Sequence, residues 1–186
     1  MGTFEVDFEA PRSPALGESV KYRLDVIGSS AADVVGSIGG WLCDRVRAGW
    51  DVHVMLAHEC DHRPLEILGM HATLLDARVP LASTEHPIRG LAVSAEMYAA
   101  DARIERAVLC ALDRWMTEVT LWHDDWPLAV GSRTTPVQHV LSGAARAFKR
   151  HALAAAGIPA TVSPIESLLS DMKASLPVDS ELIPVG

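Results

Sequence analysis

The sequence has little of what marks a specialised class. It holds three cysteines, Cys43, Cys60 and Cys110, far apart and without a CxxC pair, which argues against a disulfide scaffold. Lys and Arg number 16 against 24 Asp and Glu. The resulting charge of −8 argues against generalised binding to nucleic acid or an anionic membrane, since both need concentrated positive charge. No apolar run is long enough to cross a bilayer. The amino-terminal MGTFEVDFEAPRSP is acidic and lacks an apolar signal core, so the expected location is cytoplasmic. GxGxxG and GxxxxGK[ST] do not occur, so the dinucleotide and P-loop fingerprints are missing.

What is present is alternation of strand-like and helix-like segments. Residues 1–19 and 173–186 carry Pro11, Pro14, Pro177 and Pro184 and read as tails around one domain at 20–172. Val20–Ile27 alternates and ends in β-branched residues, as a strand does. Gly28-Ser29 turns the chain, and Ser30 with Asp33 opens a helix in the manner of a capping box. Val35, Ile38, Leu42 and Val46 follow at helical spacing, and Gly49 closes the helix. Trp50–Leu56 is a second strand, which completes a βαβ unit. Gly36, Gly39 and Gly40 each cost up to about 1 kcal/mol in a helix interior. Close packing against the sheet is the expected compensation, with a ligand against the backbone as the alternative.

The alternation continues more weakly. Arg63–Leu68 suits a short helix and His71–Leu75 a strand. Residues 90–116 read as one long or broken helix, with Asp101 capping its second half. Glu118–Trp122 is a fourth strand. Thr135-Pro136-Val137-Gln138 has the marks of a helix start, and a helix to Gly157 is expected from it. That helix holds the densest basic stretch, Arg146, Lys149 and Arg150, near its negative end. It also holds His139 and His151, with no carboxylate at useful spacing. Ala160–Val162 is a short fifth strand, and Ser163–Met172 a last helix. The expectation is a Rossmann-like α/β domain of three layers with a mainly parallel sheet of about five strands.

Parallel sheets bind ligands where the carboxyl ends of their strands meet the loops. That rule selects Gly28, Ser29 and Ser30, then His58, Glu59, Cys60, Asp61 and His62, then Asp76, then His123, Asp124, Asp125 and Trp126. An anion would suit the helix start after Gly28, and Arg133 with Thr135 forms a second such element. Gly28, Ser29, Ser30, Arg133 and Thr135 are thus the anion contacts of a phosphorylated or nucleotide-like ligand, and Glu59 or Asp76 would receive hydroxyls. An alternative is a metal-dependent enzyme in which His58, Cys60, His62 and His123 supply the ligands, since imidazole and thiolate suit zinc or another transition ion. A further alternative is a non-catalytic assembly or regulatory subunit, acting through a protein partner or through homo-oligomerisation. The cofactor and the reaction stay open.

Overall fold

The computed structural model describes residues 22–76, 90–114, 117–123, 126–172 and 182–185. The chain begins as expected, with β1 (Arg23–Gly28), α1 (Ala31–Arg47) and β2 (Asp51–Leu56). Ser30 caps α1 by accepting the Asp33 N–H at 3.2 Å, and Gly49 takes φ +90° just after the helix, a conformation that suits glycine. There follow α2 (Arg63–Ile67), β3 (His71–Leu74), β4 (Gly90–Ser94), α3 (Ala95–Ala100), α4 (Ala102–Asp113) and β5 (Glu118–Trp122). Asp101 caps α4, as the sequence indicates. The chain ends in α5 (Leu128–Gly131), β6 (Thr135–Val140), α6 (Gly143–Ala155), β7 (Ile165–Ser170) and β8 (Leu182–Pro184).

The strands form one sheet in the order β3-β2-β1-β4-β5-β7-β6-β8. The first five run parallel, and the pairs beyond β5 are antiparallel. Side chains alternate across the pleat. Leu24 and Val26 therefore join α1 and α6 in one core, while Ile27 joins α3 and α4 in a second. The result is a mixed α/β fold with an eight-stranded, mostly parallel sheet between two apolar layers.

Six expectations are corrected. The described residues hold eight strands, not about five. Gly90–Ser94, placed in a long helix, is a fully buried strand; its run Leu91-Ala92-Val93 is too short for periodicity to separate strand from helix. Thr135–Val140 is a strand, with Val137 and His139 turned inward, and the helix begins seven positions later than expected, where Ser142 accepts the Ala145 N–H. Ser163–Met172 gives β7 instead of a helix, and no strand forms at 160–162. Part of the expected carboxyl-terminal tail, Leu182–Pro184, pairs with β6 as an edge strand.

The antiparallel wing sets the shape of the carboxyl edge. β7 is in register with β5 only at Thr120↔Ser170 and Leu121↔Leu169, yet it runs beside β6 for six positions. The rest of β6 and β7 therefore extends past Trp122 and walls the edge where the parallel strands end. Two carboxylates tie α1 to this wing. Asp44 accepts the Ser142 N–H at 3.0 Å, the Ser142 hydroxyl at 2.6 Å and His139 Nε2 at 3.0 Å, so His139 does have a carboxylate partner, remote in sequence. Glu166 accepts the main-chain N–H groups of Gly40 and Trp41, at 2.8 and 2.7 Å.

The glycines of α1 answer to this packing. A Cβ on Gly40 would lie 2.2 Å from Leu141 Cδ2 and 2.9 Å from Glu166 Oε1, whereas one on Gly36 would meet only Ile158 Cδ1 at 3.7 Å. Gly40→Ala should cost about 1–3 kcal/mol by overpacking, while Gly36→Ala should gain up to about 1 kcal/mol from helix propensity. Urea unfolding of the two variants reads the difference. If they proved equally stable, close packing would not be the reason for Gly40.

Burial alone would raise the Asp44 carboxyl, but hydrogen bonds from Ser142 and His139 outweigh it and hold the group below its ordinary range. A carboxyl depressed in the folded state adds stability above its unfolded pKa and loses it as pH falls through the folded value. Asp44→Asn should therefore be less stable than the parent at neutral pH and lose less stability on acidification below about pH 4. Unfolding midpoints at the two pH values test this, and parallel losses in both proteins would refute it.

Candidate functional site

The loops after β1, β2 and β5 converge as parallel strands require. Main-chain bonds join the first two, from Ala57 N–H to Gly28 O and from His58 N–H to Ser29 O, and Cys60 Sγ accepts the Ala31 N–H at 3.4 Å. At the centre is Asp33, in the first turn of α1. Its Oδ2 accepts the Ser29 N–H at 3.0 Å and the Ser29 hydroxyl at 3.2 Å. Its Oδ1 accepts Trp122 Nε1–H at 3.1 Å and faces His123 Nε2 at 2.9 Å. Four donors thus converge on one carboxylate and link β1 to the end of β5 across β4.

His123 is held in an unusual way. Its φ is +68°, a left-handed conformation uncommon outside glycine. Trp126 Nε1–H donates to the His123 carbonyl at 3.0 Å, and the Trp126 ring stands edge-on to Tyr98 with centroids 5.1 Å apart. The side chain remains half exposed, at 50%. Asp33 as acceptor fixes the proton on Nε2, which leaves Nδ1 as the basic nitrogen. Among the described residues Nδ1 has no hydrogen-bond partner. Ser37 Oγ lies 3.4 Å from Nε2, the nitrogen that Asp33 already occupies, so it is not aligned as a nucleophile activated by the free nitrogen.

A cleft of about 330 Å³ opens beside this cluster, and Ser37 belongs to both. The turn Gly36–Ser37 of α1 forms one wall, and Leu153, Ile158, Thr161 and β7 the others. In its lining are two buried charges, Lys149 and Glu166, each only 5% exposed. Lys149 Nζ donates to Gly36 O at 2.8 Å and to Glu166 Oε1 at 2.5 Å. The expectation that this basic stretch lies near the negative end of a helix is thus corrected for Lys149, which sits in the middle of α6 and inside the protein.

The remaining candidates are scattered. Arg133 gives its Nη2 to Leu112 O and Asp113 Oδ1, at 2.6 and 2.7 Å, at the carboxyl end of α4 and so at the opposite edge of the parallel strands. Thr135 is exposed in β6. The helix-start argument that joined both to Ser30 therefore lapses. Asp76 offers its carbonyl to Arg103 Nη1 at 3.3 Å. His58 and Glu59 are exposed, and Cys60 and His62 are half-buried. His58-Glu59-Cys60-Asp61-His62 spells HExxH, a pattern that gathers zinc ligands only when a helix puts both histidines on one face. Here residues 58–62 precede α2 in a loop, and Asp61 is turned to the Arg63 N–H. Among the described residues no three His, Cys, Asp or Glu side chains gather to hold a metal ion; Trp115, Asp124 and Asp125 lie outside them. No helix among them is long and apolar enough to cross a membrane.

No family model matches the chain, and no curated protein matches it with significance. Solved structures do. A deacetylase triple mutant from the teicoplanin biosynthetic pathway superposes with a TM-score of 0.51 at 15% identity, over 71% of this chain and 80% of that one. The A40926 pseudoaglycone deacetylase gives 0.48 at 15% identity, over 73% and 81%. The chain is similar in fold to the first of these.

Proposed function

We propose that the protein is a hydrolytic enzyme acting on a small polar substrate at the carboxyl edge of the sheet, with His123 as its general base. The observation that carries this reading is the Asp33–His123 contact. A carboxylate that fixes one imidazole nitrogen leaves the other free to take a proton, and here that nitrogen belongs to a half-exposed ring beside a cleft. His123 Nδ1 would accept a proton from water as the water attacks an acyl carbon. Asp33 would stabilise the imidazolium, and the proton would then pass to the departing nitrogen or oxygen. The parallel half of the sheet, in the order β3-β2-β1-β4-β5, supports the Rossmann-like reading and puts this edge where such sheets bind ligands. The similar fold of a deacetylase makes acetamides and acetate esters the first compounds to test, by analogy of fold alone.

A phosphorylated or nucleotide-like ligand at Ser29 and Ser30 is a less favourable reading. The Asp33 carboxylate already takes the Ser29 N–H and hydroxyl, so an incoming phosphate would meet a negative charge in the place where it needs donors.

The test is a screen of acetamides and acetate esters for release of acetate, followed by two variants. His123→Ala should lower kcat by about 10²-fold or more, as loss of a general base does, with little change in stability because the ring is half exposed. Asp33→Asn should lower kcat as well and also destabilise the fold by about 1–3 kcal/mol, since an amide cannot accept four hydrogen bonds. Turnover by the parent that His123→Ala leaves unchanged would overturn the assignment.

A further inference from the structure

We infer that the cleft between α1, α6 and β7 is a binding site for a small neutral carboxamide with an apolar body. The argument starts from the charges in its lining. Lys149 and Glu166 are both buried and bonded to each other, so the lining carries no net charge from this pair. A carboxylate ligand would gain Lys149 but meet Glu166; an ammonium would gain Glu166 but meet Lys149. A neutral group that both accepts and donates escapes the conflict.

The unused hydrogen-bonding capacity has the same character. Lys149 Nζ has three protons and spends two, on Gly36 O and Glu166 Oε1. Glu166 Oε1 accepts from both Lys149 and Gly40, while Oε2 accepts only from Trp41. Among the described residues, one ammonium proton and one carboxylate lone pair of this ion pair are thus left without a partner. An amide fits that pair, with its carbonyl accepting from Lys149 and its N–H donating to Glu166 Oε2.

The rest of the lining sets the body of the ligand. Leu153, Ile158, Pro159 and Ile165 supply apolar surface, and about 330 Å³ is at the small end of ligand sites, which run from about 300 to 1,000 Å³. Gly36 is exposed at the mouth, and its missing side chain leaves the space open. This inference stands apart from the hydrolytic reading, because none of its hydrogen bonds involves His123 or Asp33.

The test uses three compounds on one carbon skeleton, 4-methylpentanamide, 4-methylpentanoate and 4-methylpentylamine, titrated into the full chain and followed by NMR. The amide should saturate with a Kd at least tenfold below those of its charged relatives. Ser167→Trp, at an exposed position on the cleft wall, should abolish that binding with Tm unchanged. His123→Ala should leave the amide Kd within twofold, which separates the cleft from the catalytic proposal. Glu166→Gln removes the opposing charge and should improve 4-methylpentanoate at least tenfold. If that variant does not fold, the three-compound series and Ser167→Trp decide. The inference is overturned by no saturable amide binding, by equal or tighter binding of the carboxylate to the parent, or by unchanged amide binding to Ser167→Trp.

Discussion

The Lys149–Glu166 pair is the interaction on which much of the architecture around the cleft depends. Moving two charges out of water costs several kcal/mol per ion, and only close pairing with further hydrogen bonds offsets that cost. Here the further bonds come from main chain. Gly40 and Trp41 give their N–H groups to the carboxylate, and Gly36 gives its carbonyl to the ammonium. The pair therefore enters the hydrogen-bond ladder of α1 and joins one turn of that helix to both α6 and β7. That is a geometric demand as well as an energetic one. Gly40 has to lack a side chain because Leu141 and Glu166 approach its Cα too closely for one.

This arrangement also explains which parts of the fold were legible in the sequence. β1, α1 and β2 carry their own signals: Ser30 at the cap, apolar residues every three or four positions and Gly49 at the end. The wing does not. Val137 and Leu141 are four apart and suggest a helix, but they belong to a strand and to the turn after it. In α6 the buried face runs through Ala145, Lys149, Ala152 and Leu153, and Phe148 faces out. A reading that assigns lysine to solvent and phenylalanine to the core rotates that helix. Glu166, seventeen positions past Lys149, and the Gly36 carbonyl make a buried lysine tenable, and both contacts are tertiary facts.

Site residues divide along the same line. The rule that ligands gather at carboxyl ends of parallel strands brought Gly28, Ser29, Ser30 and His123 to one rim, and the structure places them there. It passed over Asp33, which had a local explanation as a helix-capping partner. The residue does more than that role needs, since its carboxylate turns back to Ser29 and across to β5. Arg133 and Thr135 illustrate the opposite error. Their sequence context is a persuasive helix start, but the segment is drawn into a sheet by pairing with β7 and β8. The HExxH pattern at residues 58–62 carries no zinc site here, because its spacing has chemical meaning only on a helix.

Strain at His123 connects these layers. A left-handed non-glycine residue costs on the order of 1–3 kcal/mol and persists only where its surroundings determine it from several sides. Trp126 holds its carbonyl and Asp33 holds its ring, while Asp33 is itself fixed by Ser29 and Trp122. No other carboxylate among the described residues is bonded to the His123 ring. These contacts offset the backbone cost and commit Nε2 to Asp33, while Nδ1 has no hydrogen-bond partner among the described residues. The strained turn and the Asp33 contact are thus parts of one arrangement, since the residue that carries the unusual φ is also the one whose ring meets the carboxylate.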